Sequence, residues 1–264
     1  MTRRAVLLLF TLASACAQQP RVMPAFAPDE LARLDAAVAT IRNEVPVDTY
    51  QAATFTHDGI TLQYRLLSPP NVVAGRRYPM LVVFHGAGAI GTDNTAQIGP
   101  LAKSWATPEM RERHPLYVLI PQFSTRSVEY ANGFSTATPP LHAALALVEQ
   151  KQNELPVDPS RTYALGYSMG GSAVWNALAL KPGLFTRAIS VAGVPNRDAL
   201  SRLGDTRFLL VHGDADTENP YAAARAVYDA ADKRRVTFWQ YRGLGHDFPP
   251  DLIATPRLAE WLFR

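Results

Sequence analysis

Gly166-Tyr167-Ser168-Met169-Gly170 matches the pattern G-x-S-x-G, and its flanks decide how that pattern reads. The apolar run at 162–165 leads in, and a helix-forming run at 172–180 leads out. A serine between a strand and a helix in this pattern sits on a strained turn that holds its hydroxyl toward solvent. Glycines at 166 and 170 suit places where backbones approach too closely for a Cβ. A serine hydroxyl is a poor nucleophile near neutral pH. It needs a base within hydrogen-bond reach and a third group to orient that base.

Downstream of Ser168 only His212 and His246 could be the base. His246 lies in Gly243-Leu244-Gly245-His246-Asp247-Phe248, just past the strand expected at Val236–Tyr241. Two glycines there let a loop swing an imidazole inward. His212 closes an apolar run at 208–211 and precedes Gly213, a setting that suits bracing a turn. His246 is therefore the expected base. The acid should follow the 208–211 run, where Asp214-Ala215-Asp216 offers two carboxylates and either could reach. The hydrolase pattern H-G-x-x-D places it at Asp216 and leaves Asp214 as a turn former, a common use of aspartate. Asp247 adjoins the histidine, but consecutive loop residues usually point apart.

A tetrahedral intermediate also needs backbone N–H donors aimed at its oxyanion. One belongs to Met169, the residue after the serine. The other is expected at Ala87, in His85-Gly86-Ala87-Gly88, an HGxG variant of the HGGG motif. His85 could brace that loop, and Gly91-Thr92-Asp93-Asn94 reads as a hydrogen-bonded turn beneath it.

Taken in order, HGAGxxGTDN, GxSMGG, HGDAD and a late GxGH resemble bacterial α/β-hydrolases related to polyhydroxybutyrate-depolymerase-type and feruloyl-type esterases. Some members of that group are called predicted peptidases or phospholipase/carboxylesterases. The resemblance covers about residues 58–264. It implies an α/β-hydrolase fold: a mostly parallel, doubly wound sheet flanked by helices. It further implies Ser168, Asp216 and His246 as a catalytic triad, with Ala87 and Met169 as oxyanion donors. The implied reaction is ester hydrolysis through an acyl-enzyme, with no cofactor and no metal. Two departures stand out. Ala89-Ile90 occupies a place where the family often has a charged residue. Pro121-Gln122-Phe123-Ser124-Thr125-Arg126 replaces a segment that often holds a Trp pair. Both flank the cleft, so the natural ester is not carried over.

Several elements must position these groups. Ile60–Leu67 reads as a strand, expected antiparallel at one edge of the sheet. Tyr78–Phe84 (YPMLVVF) is a continuous apolar run, as in a central strand covered on both faces. Further strands are expected at 116–121 and 188–192, and helices at 141–155, 221–232 and 256–263. Alternating strands and helices argue for a mostly parallel sheet. The connection at 193–207 is too short for a helical cap domain. Phe123, Tyr130 and Phe134 are expected on a loop near the strand ends, where they could line a substrate pocket. Trp175, seven residues after Ser168, reads as core.

The chain has 264 residues, of which 47% are hydrophobic and 19% charged, enough for one large α/β domain. Its formal charge is +3, but Arg3 and Arg4 sit in a targeting segment. Of 26 basic residues 24 then remain against 23 acidic ones, with no basic stripe, which gives no support for nucleic-acid binding. Residues 1–17 read as an export signal: a basic start, an apolar stretch at 5–15, then small residues before Cys16. That end resembles a bacterial lipobox, implying Cys16 as a lipidated residue of a periplasmic or outer-membrane lipoprotein. Ordinary cleavage after Ala17 is the alternative. Residues 18–45 read as a Pro-rich tether followed by a helix at 29–45 packed on the outside of the domain, and 46–264 as the catalytic domain. The expected partner is a small-molecule or polymer-linked ester, and the membrane is reached only through the lipid. A serine peptidase of the same fold and a non-catalytic tethered binding protein are the competing readings. His85, His212 and His246 lack any H-x-H-x-D-H or HExxH spacing for a metallohydrolase.

Overall fold

The computed structural model describes residues 19–264. The expected export signal and Cys16 lie outside the described residues. The chain runs β1 (Arg21–Met23), α1 (Pro28–Glu44), β2 (Gln51–His57), β3 (Ile60–Leu67), β4 (Tyr78–Phe84), α2 (Pro100–Lys103), α3 (Pro108–Arg113) and β5 (Tyr117–Gln122). It continues through β6 (Val128–Ala131), β7 (Phe134–Ala137), α4 (Pro139–Glu154), β8 (Val157–Tyr167), α5 (Met169–Leu180), β9 (Arg187–Val191) and β10 (Arg207–Gly213). The last elements are α6 (Tyr221–Ala230), β11 (Val236–Tyr241), α7 (Asp251–Ala254) and α8 (Arg257–Leu262).

Nine strands form one sheet in the order β1-β11-β10-β9-β8-β4-β5-β3-β2. Every pairing within this sheet is parallel except β2 with β3 and β3 with β5. The apolar run of β4 lies inside the sheet with all seven residues buried. Its side chains alternate between two cores. Met80, Val82 and Phe84 join Trp175 and Phe208 on one face, and Leu81 and Val83 join Trp105 and Trp261 on the other. Trp175 is core, as its place on α5 implied, with its ring edge-on to Phe208 at 4.4 Å.

Three expectations are corrected. β3 is antiparallel but sits one strand in from the edge, because β2 covers it. The turn between them is Asp58-Gly59, with both residues at positive φ (47° and 75°). Asp-Gly is a strong hairpin signal. The supposed tether contains β1, which pairs parallel with β11 from Arg21↔Trp239 to Met23↔Tyr241. The segment holding Tyr130 and Phe134 is a β6–β7 hairpin turned at Asn132-Gly133. Helix α1 occupies the expected span, buries none of its residues fully, and packs against α2 and α7.

Candidate active site

β8 ends at Tyr167 and α5 begins at Met169, so Ser168 is the whole of the turn between them. Its backbone sits at φ 56°, ψ −118°, where a residue with a Cβ is strained. Its amide donates to the Val191 carbonyl at 2.9 Å, fixing the turn to β9. The two motif glycines are required by contact. A Cβ on Gly166 would lie 2.1 Å from the Gly170 oxygen, and one on Gly170 would lie 2.0 Å from the Phe84 oxygen. The elbow is thus pressed onto the end of β4.

The three side chains expected to converge do so. The Ser168 hydroxyl lies 2.8 Å from Nε2 of His246. Nδ1 of the same ring lies 2.9 Å from Oδ2 of Asp216. A carboxylate only accepts, so Nδ1 carries the proton and Nε2 is left bare to accept from the serine. This is the tautomer that a general base needs. Asp216 is buried, and its Oδ1 accepts from the amides of Glu218 and Asn219 at 3.0 and 2.9 Å.

Asp214 faces away. Its carboxylate accepts from the Gly243 amide at 2.6 Å and from the Gln240 side chain at 2.9 Å. It latches the loop that bears the acid to the loop that bears His246. The Ala215 amide adds a second tie, donating to the Leu244 oxygen at 3.0 Å. His212 braces the turn as expected: its Nε2–H donates to the Asn219 oxygen at 2.7 Å. It also reaches Oδ2 of Asp216 at 3.1 Å, a contact the sequence did not suggest. Burial pushes its pKa down, which keeps the imidazole neutral.

The loop after β4 lies against the elbow. A Cβ on Gly86 would stand 3.7 Å from the Ser168 Cβ. Ala87 opens a single 3-10 turn, Ala87–Ala89, while Met169 opens α5. First residues of helical turns have amides with no partner inside the turn. Among the described residues, neither amide donates to a protein acceptor. His85 holds this loop from below. Its Nε2 accepts from the Phe123 amide at 2.9 Å, and Nδ1–H donates to the Gly86 oxygen at 2.7 Å. Burial lowers its pKa, and the bare Nε2 requires the neutral form.

Gln122 is a further support that sequence reasoning passed over. It is a buried polar residue closing the apolar run of β5. Its oxygen accepts from the Asn94 amide at 2.6 Å, and its nitrogen donates to Ala89 O at 3.2 Å and Asp93 Oδ1 at 2.9 Å. Asp93 also accepts from the Ala96 and Thr95 amides, and these bonds hold its carboxyl well below the usual range. The Gly91–Asn94 turn therefore does support the loop above it.

Tyr167 was also overlooked, although it is the x of the motif. Its hydroxyl donates to the His246 carbonyl at 2.7 Å, and its ring lies 5.5 Å from the imidazole, tilted 29° to it. Burial pushes its pKa up to about 12, so the donor stays protonated.

The three aromatic residues expected to line a pocket do not stay together. Phe123 is fully buried at 0% exposure, between Phe84 and His85, and cannot touch a substrate. Its backbone amide serves His85 instead. Tyr130 is 41% exposed on the β6–β7 hairpin, with its hydroxyl 3.5 Å from that of Ser172. Phe134 lies under the Arg197 guanidinium at 4.2 Å.

The sheet order, the crossover helices on both faces and the serine turn at the carboxyl end of β8 decide the fold. The chain has the α/β-hydrolase fold. No protein-family model matches it. It is 30% identical over 246 residues to NocK of Nocardia uniformis subsp. tsuyamanensis, a protein whose name assigns it as an esterase. That match takes in 84% of this chain and 66% of NocK. Among solved structures, a thermostable esterase is 30% identical with a TM-score of 0.73, covering 82% of this chain and 63% of that one. Thermogutta terrifontis esterase 2, in a form phosphoramylated by tabun, is 18% identical with a TM-score of 0.61, covering 84% of this chain and 97% of that one, a likeness of fold. The chain thus spans just under two thirds of the length of the two relatives it matches at 30% identity.

Proposed function

We propose that this α/β-hydrolase is a serine carboxylic-ester hydrolase. One observation carries the reading: an unbroken hydrogen-bonded chain from Ser168 Oγ through His246 to Asp216, beside two backbone amides that no acceptor among the described residues uses. The esterase names of the two relatives at 30% identity support the same substrate class.

The chemistry follows from the geometry. Ser168 Oγ bonds to the ester carbonyl carbon as its proton moves to His246 Nε2. The carbonyl oxygen becomes an oxyanion between the Ala87 and Met169 amides, each such donor being worth ~3 kcal/mol of barrier. Asp216 holds the imidazolium by its Nδ1–H. The carbon–oxygen bond to the alcohol then breaks, and the alcohol leaves with the proton from Nε2. Water attacks the acyl-serine, giving its proton to His246. Collapse of the second intermediate returns that proton to Ser168 and releases the acid.

Hydrolysis of p-nitrophenyl acetate and butyrate by the protein and by Ser168→Ala tests the reading. Equal rates would refute it. A fluorophosphonate probe should label Ser168, with labelling lost in His246→Ala. Export with Cys16 as the lipidated residue is also proposed, on the N-terminal sequence alone. The mass of the mature N-terminus decides between that and cleavage after Ala17.

A further inference from the structure

A cavity of about 520 Å³ lies against the loop after β4 and against Tyr167. Its inner end includes Gly86, next to the Ser168 Cβ, and Tyr167, the residue before the nucleophile. Its walls include Leu101 and Ile253 from α2 and α7 and Phe248 from the loop that carries His246, with Asp247 of that loop and Gln97 as polar members. Another wall is α1, which turns Leu31, Asp35, Val38 and Arg42 toward the space. Spacings of four, three and four place these on one helical face. Leu31 is 39% exposed, a large apolar side chain that the core does not use. Asp35 and Arg42 are exposed.

We propose that α1, a helix upstream of the catalytic segment, is the specificity wall of this enzyme. It favours esters that carry a hydrocarbon substituent of six or more carbons over those with only an acetyl or methyl group. The inference rests on the ester-hydrolase reading above. Counting roughly 30 Å³ for each water-sized group, the cavity exceeds what a six- to eight-carbon chain fills. It also falls within the size range of pockets that enclose small ligands. The apolar members of the lining, Leu31, Val38, Leu101, Phe248 and Ile253 among them, offer contact to a hydrocarbon chain, whereas an acetyl or methyl group would leave most of the space unused. Each methylene buried there should raise kcat/KM by up to about fourfold.

Two series of esters locate the chain. p-Nitrophenyl acetate and hexanoate vary the acyl side, and ethyl and hexyl acetate vary the alcohol side. The wild-type protein should prefer the six-carbon member of one series by at least about tenfold, and that series identifies the side that enters the cavity. Val38→Trp fills the space and should cut this preference at least about tenfold. Leu31→Asp places a charge on the same wall at a position that is already half exposed, and should act in the same direction. Val72→Trp, at an exposed site away from the cavity, should leave the preference unchanged. Absence of a length preference in both series overturns the proposal, as does a preference untouched by both wall variants. If the wild-type protein hydrolyses none of the four esters and a fluorophosphonate leaves Ser168 unlabelled, the ester reading falls and this proposal falls with it. Labelling and hydrolysis without length preference removes only the wall.

Discussion

Gly170→Ala probes the contact that joins the two halves of the proposed oxyanion site. The new Cβ would lie 2.0 Å from the Phe84 oxygen, 2.5 Å from its carbonyl carbon and 2.9 Å from the His85 oxygen. All three obstacles are backbone, and β4 is held between β5 and β8, so no side chain can swing clear. A relaxed carbon–oxygen contact needs about 3.3 Å. The elbow must therefore withdraw from β4 by roughly 1.3 Å. Overpacking of this kind costs about 3 kcal/mol. For a domain of this size, that lowers Tm by roughly 6–12 °C. The same movement separates Met169, on the elbow, from Ala87, on the loop that continues β4. A displacement of about 1 Å at a reacting centre can cost 100-fold in rate. The expected result is thus a folded protein with kcat for p-nitrophenyl butyrate down about 100-fold and fluorophosphonate labelling slowed in step. In Gly88→Ala, where a Cβ meets nothing within 4 Å, Tm should stay within about 2 °C. Wild-type Tm and kcat in Gly170→Ala would refute the reasoning.

Other substitutions separate neighbouring groups. Asp216→Asn should lower kcat by about 10⁴-fold through the wrong imidazole tautomer, whereas Asp214→Asn should lower it less than tenfold; reversed magnitudes in steady-state assays would exchange their roles. Tyr167→Phe removes one hydrogen bond to the His246 carbonyl, worth about 1 kcal/mol, so kcat should fall roughly fivefold with KM little changed. Stability should decline as pH falls from 7.5 to 5.5. Burial lowers the folded-state pKa of both His85 and His212 below the unfolded value of about 6.5, so the unfolded chain takes up more protons below that pH. Each group contributes a slope of up to about 1.4 kcal/mol per pH unit, and urea unfolding should show a shallower slope in His212→Gln.

Much of the fold was legible because buried parallel strands announce themselves. Tyr78–Phe84 and Val236–Tyr241 are formed at the spans their apolar runs marked. The site was legible because its motifs are local: a tight turn needs its glycines, and each loop that bears a functional group follows a recognisable strand. The elements that escaped were those whose sequence signal is diluted by solvent. β2 shows only alternate partial burial, and β1 is three residues long with a single buried one, so pairing with a distant strand creates it. The supports of the site were hidden for a related reason. Gln122 meets Asn94 across 28 residues and Tyr167 meets His246 across 79, and no spacing rule in a sequence encodes such a meeting. Phe123 shows the converse error: an aromatic residue just past a strand end can look like pocket lining and prove to be filling for the core.

The three residues of β1 have an influence beyond their length. They lie along β11, the strand that leads into the His246 loop, and the Arg242 amide just past it donates to the Met23 oxygen at 3.3 Å. Removing them would bare a row of ladder amides and carbonyls on β11, an open template for a second molecule to dock against. A truncated protein beginning at Pro28 would thus invite edge-to-edge aggregation while slackening the mooring of its own imidazole, coupling solubility to turnover through one short stretch of chain.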